Sequence, residues 1–438
     1  MTFLDPISNG EYDPPALGPV AAEARKRVHG ELPTTSLMDR RRFLTSLCGS
    51  ALALLTLNAC TRESGGGNGG GFSLPPESTV DPDAAASVLS GEEFVFDLQT
   101  HLLEGPTALG GRFPQAACGD DACFSIEHWL EAVFVRSDTS LAVLSAIPAA
   151  TPFEGPLSIS VMAEARRVAE AAECNDRVLL HGQAVPTMAG FADAMRRVAD
   201  EHEIIAWKAY THTPKVWRLD DAVGEAFIRT AVEVGVPTIC VHKGFGSEPS
   251  DVGPAAAAHP DVRFVAYHSG YEVGQPAAVD RLLRSLERAG VGPGGNVWCE
   301  LGSTWFNLMR APDDAAHVLG RLLKAVGPDR VVWGTDSIWY GSPQEQIRAF
   351  RAFEISAEFQ ERFGYPALTP EIKRKILGRN AAALHGVDPV ARPRCEGSIA
   401  SLEQLRQQLP PAPAALGPRT KPEAAAIRAA DWAWSAPI

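Results

Sequence analysis

The chain carries too little positive charge for a protein that binds nucleic acids non-specifically. Its 40 Lys and Arg residues are outnumbered by 53 Asp and Glu residues, so the formal net charge is −13, whereas such binders need a basic face. Between residues 92 and 387 the chain also lacks an apolar run long enough to cross a bilayer. With 45% hydrophobic and 21% charged residues, the composition is that of an ordinary globular protein with a large core.

Cysteine is sparse, with eight residues in a chain of 438. Cys118 and Cys123 lie close together in the stretch ACGDDAC, but no second pair follows at a matching interval. We therefore expect a small disulfide there rather than half of a metal site. Cys174, Cys240 and Cys299 lie in apolar surroundings, so we expect them to be buried as small hydrophobic residues.

The first sixty residues have the pattern of an export signal. Arg40-Arg41-Arg42 precedes an apolar stretch from Leu47 to Leu57, which ends at Ala59-Cys60. Twin arginines, a moderate apolar segment and small residues before a break are typical of twin-arginine signal peptides. The ending resembles the lipobox of bacterial lipoproteins, so we expect a periplasmic or cell-envelope protein with a possible lipid anchor at Cys60. The alternative is a short hydrophobic helix of the mature domain.

Composition divides the chain into four segments. We predict a signal peptide at 1–60, a flexible Gly-rich linker at 61–91, a catalytic barrel at 92–387 and a Pro/Ala-rich C-terminal tail at 388–438. The linker prediction depends on SGGGNGGG, which is a flexible composition. Trp432 and Trp434 near the end of the tail suggest that it docks on the barrel or on a second subunit of a homodimer.

A short β-branched and aromatic run followed by an amphipathic helix occurs eight times between residues 94 and 339. This alternation predicts a (β/α)₈ TIM barrel. The runs are Phe94–Leu102, Ser140–Pro148, Arg177–Pro186, Ile204–His212, Pro237–Gly244, Arg263–Gly270, Asn296–Thr304 and Val331–Trp339. Periodicity places helices at 125–135, 157–173, 189–202, 220–234, 276–289, 312–326 and 344–363. Since catalytic groups in this fold sit where strands end, the last residues of each run should face one pocket.

Three of the predicted strands end in residues that can bind one metal ion. Gln99 and His101 lie on the same face of the first strand, about 7 Å apart along it. His242 ends the fifth run and Asp336 lies in the eighth. Two imidazoles and a carboxylate, with a fourth position open to water, form the usual catalytic zinc arrangement. Each histidine alone is as easily structural, but three candidate ligands at the strand ends of one barrel favour a shared site.

The roles of four other polar residues remain open. His268 ends the sixth run, where it suits a general acid or base beside a metal-bound water better than a further ligand or a buried structural histidine. Lys208, in the fourth run, has three possible roles: contacting a substrate carboxylate, being carbamylated as a bridging ligand, or pairing with an acid. His181 and Glu300 are as readily hydrogen-bonding residues that support the site as catalytic ones.

The pattern of these residues resembles that of the amidohydrolase superfamily. More narrowly, it resembles the amidohydrolase-2 branch, which includes aminocarboxymuconate-semialdehyde decarboxylases, aromatic-acid decarboxylases and hydrolases. Four motifs carry the resemblance over roughly residues 92–387: Asp97-x-Gln99-x-His101, His242, His268-x-Gly270 and Gly334-Thr335-Asp336. It implies one divalent ion, Zn²⁺ or alternatively Mn²⁺, at positions 99, 101, 242 and 336, with His268 assisting the chemistry.

Gln99 departs from this family, which has the first histidine of a His-x-His pair at that position. A Gln carbonyl is a neutral and weaker donor than imidazole. We therefore expect bound water to be more acidic and the ion to be lost more easily.

Such a site suits two reactions, and the motifs do not choose between them. In a hydrolase, metal-activated water attacks an amide, ester or lactone carbonyl of a small-molecule substrate, and Asp336 or His268 accepts the proton. In a decarboxylase, the same ion binds an aromatic or unsaturated carboxylic acid before CO₂ leaves. Export favours hydrolysis. A third, more distant alternative is a catalytically inert binding protein, which only Gln99 suggests.

Overall fold

The computed structural model describes residues 46–63, 69–102, 125–147, 157–172, 174–213, 215–390 and 395. The arginine triplet, the Cys118–Cys123 pair and the two C-terminal tryptophans lie outside these ranges. Within them, no helix combines the length and apolarity needed to cross a membrane. The chain divides into two compact units. An N-terminal unit joins the residues up to Glu92 to 307–321 and 345–373, and a barrel unit contains 93–306, 322–344 and the chain from Arg374 onward.

In the described part of the chain, ten strands form two sheets. In chain order they are β1 (Gly70–Phe72), β2 (Phe96–Thr100), β3 (Leu141–Leu144), β4 (Val178–Gln183), β5 (Ala206–Tyr210), β6 (Thr238–Gly244), β7 (Arg263–Tyr271), β8 (Val297–Glu300), β9 (Val331–Val332) and β10 (Phe353–Ile355). Strands β2 to β9 form one parallel sheet in chain order, and β1 pairs with β10 in a separate antiparallel sheet.

The parallel sheet is a nearly closed barrel. The backbone N–H of Leu98 on β2 donates to Trp333 O at 3.1 Å, and that of Asp336 donates to Gln99 O at 2.9 Å. A parallel bridge between Thr100 and Ser337 extends the same pairing. The first and last barrel strands are thus hydrogen bonded to each other, which confirms the predicted (β/α)₈ class.

Fourteen α-helices accompany the strands within the described ranges. They are α1 (Leu47–Glu63), α2 (Pro82–Leu89), α3 (Ile126–Leu130), α4 (Ile159–Ala171), α5 (Phe191–Glu201), α6 (Ala222–Glu233), α7 (Val252–Ala258), α8 (Asp280–Arg288), α9 (Thr304–Leu308), α10 (Pro312–Val326), α11 (Gln344–Ala352), α12 (Ala357–Phe363), α13 (Pro370–Arg374) and α14 (Asn380–His385). Local sequence explains several starts: Asp221 caps α6 by accepting from the backbone N–H groups of Val223 and Gly224. The barrel core is apolar and includes Phe96, Leu98, Val265, Tyr267 and Val332.

The helix predicted at 344–363 is wrong in its middle. α11 ends at Ala352, β10 follows, and α12 begins after Ser356, whose side chain caps it by accepting from Phe359 N. The extended segment pairs with Gly70–Phe72, a partner almost 300 residues away in sequence. Periodicity within one segment carries no information about such a partner. It therefore predicts one continuous helix in place of α11, β10 and α12.

The N-terminal unit gives structure to segments that we predicted as signal and linker. Helix α1 buries Cys48, Ala51 and Leu54, and the amide of Asn58 bonds both the N–H and the carbonyl of Phe72, at 2.9 and 2.7 Å. From residue 69 onward the predicted linker forms β1 and α2. This packing agrees with the alternative of a hydrophobic domain helix, and the export signal stays a prediction.

One cysteine prediction is corrected. Cys174, predicted to be a free buried residue, forms a disulfide with Cys395 across 221 residues of sequence. Cys240 and Cys299 are free and buried, as predicted. The disulfide attaches the start of the C-terminal tail to the barrel unit, and its partner could not be inferred because sequence alone does not give cysteine connectivity.

Candidate active site

The ends of β2 and β9 bring Gln99, His101 and Asp336 into direct contact. Gln99 Nε2 lies 2.8 Å from Asp336 Oδ1 and 3.3 Å from His101 Nε2, which is itself 3.0 Å from Asp336 Oδ1. Asp97 fixes the backbone on both sides, since its Oδ1 accepts from Gln99 N at 3.1 Å and from Thr335 N at 3.0 Å. Three of the four predicted metal positions therefore share one point in the barrel.

His101 is held in a single orientation. Its Nδ1 lies 2.7 Å from the carbonyl oxygen of Ser145, and because a carbonyl only accepts, Nδ1 carries the proton. Trp339 stacks on the imidazole with ring centroids 5.5 Å apart. His181 lies 3.2 Å from Ser145 Oγ through its Nδ1, so this predicted residue supports the segment that orients His101.

Asp336 is ionised at neutral pH. Burial by itself would raise the pKa of its carboxyl, but the hydrogen bond and charge of His101, together with His268 and Ser303, lower the pKa to about 2. Ser303 Oγ donates to Asp336 Oδ2 and lies 2.9 Å from Tyr340 OH. Neither hydroxyl was predicted to belong to the site. Ser303 lies within the seventh run and Tyr340 just after the eighth, where strand-end position was the available signal.

His242 contacts other aromatic rings. Its ring centroid lies 4.5 Å from that of His268, 4.8 Å from that of His212 and 5.3 Å from that of Tyr210. Burial, followed by the charges of neighbouring histidines and lysines, lowers the pKa of His242 well below its usual value. Its Nδ1 has no hydrogen-bond partner among the described residues. His212, the last residue of the fourth run, was not predicted as a site residue, but its ring contacts that of His242.

His268 is placed as a proton acceptor. Its Nδ1 lies 2.6 Å from the carbonyl of Gly302, so Nδ1 holds the proton and Nε2 keeps a free electron pair. Burial lowers the pKa of His268 to about 4, so the ring is neutral at pH 7. The residue has φ = 63°, and Ser269 beside it has φ = 54°. Such backbone is rare outside glycine and is typical of functional sites.

Glu300 supports His268 instead of facing it as a catalytic partner. Its carboxylate accepts from the backbone N–H of His268 at 3.0 Å and from that of Gly302. Burial raises the pKa of Glu300 to about 8. A Cβ at Gly334 would lie 1.7 Å from Glu300 Oε1, so glycine is the residue that leaves room for this carboxylate.

Lys208 is buried in the barrel interior. Its Nζ has no hydrogen-bond partner among the described residues and stands 3.5 Å from the ring centroid of Tyr267. Burial lowers its pKa to about 8. None of the ion pairs within the described ranges involves Lys208, in contrast to Lys243, which is bonded to Asp251 at 2.6 Å. Of the three roles predicted for Lys208, pairing with an acid is therefore not seen.

The residues present fit a metal ion only if Gln99 is one of the ligands. The described part of the chain holds no group of three or more His, Cys, Asp or Glu side chains placed to bind a metal. His101 and Asp336 supply two side chains that can bind a metal ion. Gln99 adds an oxygen, Oε1, that is buried and lacks a hydrogen-bond partner in the described structure. These three side chains are in contact and would hold an ion. His242, the fourth predicted ligand, lies beside His268, and its role as a ligand stays a prediction.

A second concave region lies away from these residues. A cleft of about 560 Å³ between α7 and α8 is lined mainly by Glu248, Arg281, Arg284 and Arg288. Arg281 pairs with Glu248 at 3.3 Å, and none of the predicted site residues lines the cleft. We therefore place the candidate active site at the strand ends, where the perturbed titrating groups converge.

The fold is a barrel with polar side chains at its strand ends, and the comparison with protein families identifies the family of such barrels to which it belongs. A model of the amidohydrolase family matches residues 139–387, more than half of the chain. The chain belongs to the amidohydrolase family and is an enzyme of that family. The match begins after β2, so Gln99 and His101 precede the matched region.

Other comparisons are more remote. No curated protein matches the sequence. Solved structures include a probable 2-pyrone-4,6-dicarboxylic acid hydrolase from Acinetobacter baumannii with citric acid bound, at 11% identity and a TM-score of 0.43, covering 67% of this chain and 99% of that one. A 5-carboxyvanillate decarboxylase from Sphingomonas paucimobilis is 16% identical with a TM-score of 0.42, and the match covers 67% of this chain and 99% of that one. A 4-oxalomesaconate hydratase from Rhodopseudomonas palustris is 13% identical with a TM-score of 0.42, and the match covers 72% of this chain and 99% of that one. The family assignment depends on the family model alone.

Proposed function

We propose that the chain is a metal-dependent hydrolase that acts on an amide, ester or lactone carbonyl of a small molecule. The observation that carries this proposal is the protonation state of His268. Its Nδ1 proton is committed to Gly302 O, and with a pKa of about 4 its Nε2 is free to accept a proton at neutral pH. Hydrolysis needs such a base to deprotonate the attacking water.

A bound divalent ion, Zn²⁺ or alternatively Mn²⁺, would lower the pKa of water and polarise the substrate carbonyl. Gln99, His101 and Asp336 would hold it. Ser145 keeps the Nε2 electron pair of His101 available by taking the Nδ1 proton. Ser303 orients the Asp336 carboxylate. His268 Nε2 accepts the proton from water and later returns it to the leaving group, while Glu300 fixes the backbone of His268.

Decarboxylation is the alternative for the same residues, and it needs a proton donor to carbon. His268 is unprotonated at neutral pH, which makes it the weaker candidate for that step. An inert binding protein is disfavoured by the backbone at His268, Ser269 and Asp336, which all have positive φ. Each such residue costs on the order of 1–3 kcal/mol and persists mainly where function requires it.

The test compares His268→Gln with the wild type on panels of lactones, esters and amides, and on CO₂ release from hydroxybenzoates. We expect wild-type hydrolysis of at least one class and a loss of roughly 10²- to 10⁴-fold in kcat in the variant, with an unchanged circular dichroism spectrum. His259→Gln is the matched control, because His259 pairs with Glu225 on the outer helices and should keep full activity. CO₂ release without hydrolysis would reassign the enzyme as a decarboxylase.

We also propose that the protein is exported, by the twin-arginine route, to the periplasm or cell envelope. The arginine triplet Arg40–Arg42 supports this, and so does the Cys174–Cys395 disulfide, because disulfides persist in oxidising compartments. Mass spectrometry of the N-terminus after cell fractionation tests the proposal. A periplasmic chain beginning at a lipid-modified Cys60 is expected, and a cytosolic chain that retains α1 would overturn it.

A further inference from the structure

We propose that the cleft between α7 and α8 binds a small amphiphilic anion, a molecule that carries an oxyanion group, such as a carboxylate or a phosphate, on an apolar body. The cleft has a volume of about 560 Å³, within the range of roughly 300–1,000 Å³ that is usual for small-molecule sites. None of the strand-end residues lines it, so the inference does not depend on the reaction proposed for them.

One wall of the cleft is the arginine face of α8. Arg281, Arg284 and Arg288 line the cleft, and residues three and four apart on a helix lie on the same side of it. Leu282 and Leu286 are buried on the other side of α8, so the arginines face outward. The helix thus presents three guanidinium groups to one concave surface, and guanidinium groups bind carboxylates and phosphates with two hydrogen bonds each.

The three arginines differ in how closely an acid neutralises them. Arg281 is bonded to Glu248 at 3.3 Å. Arg284 has Asp280 at 3.9 Å, and exposed pairs of this kind contribute little. Arg288 forms no hydrogen bond or ion pair with another described residue. The lining therefore has more positive than negative charge, on a chain whose formal net charge is −13, and it favours an anion.

The rest of the lining indicates the second property of the ligand. Pro254 and Ala257 of α7 line the cleft, together with Ala289 just after α8. These side chains are apolar and small, so they leave room for a ligand to cover them. An inorganic anion would contact the arginines alone, whereas an apolar body would also remove these carbon atoms from water, which is favourable. The lining therefore favours an amphiphilic anion over an inorganic one.

Hydrogen bonds fix the two walls of the cleft against each other. Ser285 Oγ of α8 donates to Ser250 O at 2.7 Å and accepts from Gly253 N at 3.0 Å. A Cβ at Gly253 would lie 2.1 Å from Ser285 O, so glycine permits this close approach. A preformed site loses less conformational freedom on binding than a mobile surface does. Its concave shape suits one small molecule better than a flat membrane surface.

The first experiment measures the binding of octanoate, octanol and inorganic phosphate to the full-length protein by titration calorimetry at low salt. Octanoate has both an oxyanion and an apolar body, whereas octanol lacks the charge and phosphate lacks the body. We expect octanoate to bind most tightly, and added salt to weaken the binding of octanoate but not that of octanol. Equal affinity for octanoate and either of the other two probes would overturn the proposal, as would no binding of octanoate.

The second experiment locates the binding with paired variants. Ala257→Glu places a carboxylate in the cleft, so the Kd of octanoate should rise by roughly 10-fold or more. Ala258→Glu is the matched control, because Ala258 is exposed on the same helix and does not line the cleft; its Kd should equal that of the wild type. Arg288→Gln should weaken octanoate binding as well, whereas Arg229→Gln, which changes an exposed arginine of α6, should not.

Neither pair of variants changes a strand-end residue, so a difference within a pair reports on the cleft alone. If Ala257→Glu and Ala258→Glu bind octanoate equally, the ligand binds elsewhere and the proposal is refuted. Cosedimentation with phosphatidylglycerol vesicles separates a free anion from a lipid headgroup, and we expect the wild type and Arg288→Gln to sediment alike. Vesicle binding that is lost in Arg288→Gln, without binding of free octanoate, would reassign the arginines to a membrane surface and overturn the small-molecule site.

Discussion

Replacement of Lys208 by methionine should stabilise the protein at neutral pH, although it removes a charge from the interior. Lys208 is fully buried and its Nζ lacks a hydrogen-bond partner in the described residues. The Nζ atom of Lys208 lies over the face of the Tyr267 ring, 3.5 Å from its centroid. Methionine has a similar shape and length and carries no charge to desolvate.

The magnitude follows from the pKa. Burial lowers the pKa of Lys208 from 10.5 to about 8, and one unit corresponds to about 1.4 kcal/mol. At pH 7 the amine is protonated in both states, so its burial costs about 3 kcal/mol of unfolding free energy. The cation–π contact with Tyr267 returns up to about 2 kcal/mol. The net gain expected for Lys208→Met at pH 7 is therefore about 1–3 kcal/mol.

The gain should shrink as the pH rises. Between pH 8 and 10.5 the unfolded chain still binds the Lys208 proton while the folded chain has released it, so wild-type stability rises with pH across this window. The variant lacks the group and does not share the rise. At about pH 9.5 the desolvation cost that separates the two proteins should have fallen by about 2 kcal/mol.

Guanidinium unfolding at both pH values measures this difference. Lys243→Met is the matched control. Lys243 is equally buried but bonds Asp251, Thr211 and the Glu248 carbonyl, so its loss should destabilise by about 3–5 kcal/mol. A Lys208→Met variant that is destabilised to the same extent, or whose difference from wild type is independent of pH, would refute the reasoning.

Two further predictions concern packing and the disulfide. Gly334→Ala should prevent assembly of the site, because its Cβ would lie 1.7 Å from Glu300 Oε1; thermal melting should show a large loss, while Gly292→Ala, with nothing within 4 Å of its Cβ, melts like the wild type. Cys395→Ser should destabilise the protein by about 2–5 kcal/mol, since it opens a long covalent loop that Cys174 closes; denaturant unfolding with and without reductant measures this, and no reductant effect on the wild type would contradict it.

The barrel could be predicted because each of its units is local. A β-branched run and the amphipathic helix after it are visible within about 30 residues, and strand ends in this fold always meet at one face. The same reasoning predicts that Gln99, His101 and Asp336 converge, and they are in contact. The N-terminal unit could not be predicted in this way, because β1 and β10 pair across most of the chain.

Orientation within the site was also beyond the sequence. Whether His268 is an acid or a base depends on which ring nitrogen faces the Gly302 carbonyl, and this in turn depends on positive φ angles at residues 268 and 269. Those angles are set by the tertiary structure around non-glycine residues that seldom adopt them. That Lys208 forms no ion pair with another described residue likewise depends on distances across the barrel, which no spacing rule supplies.

Gln99 is the main departure from the family pattern. The other residues of the site are held by hydrogen bonds to neighbouring residues of the chain. Ser145 holds His101, Ser303 holds Asp336 and Glu300 holds the backbone of His268. All three contacts are made by side chains and backbone of the described residues. In such a preorganised site the choice of ligand changes mainly the occupancy of the ion, because the supporting hydrogen bonds keep the remaining groups in place.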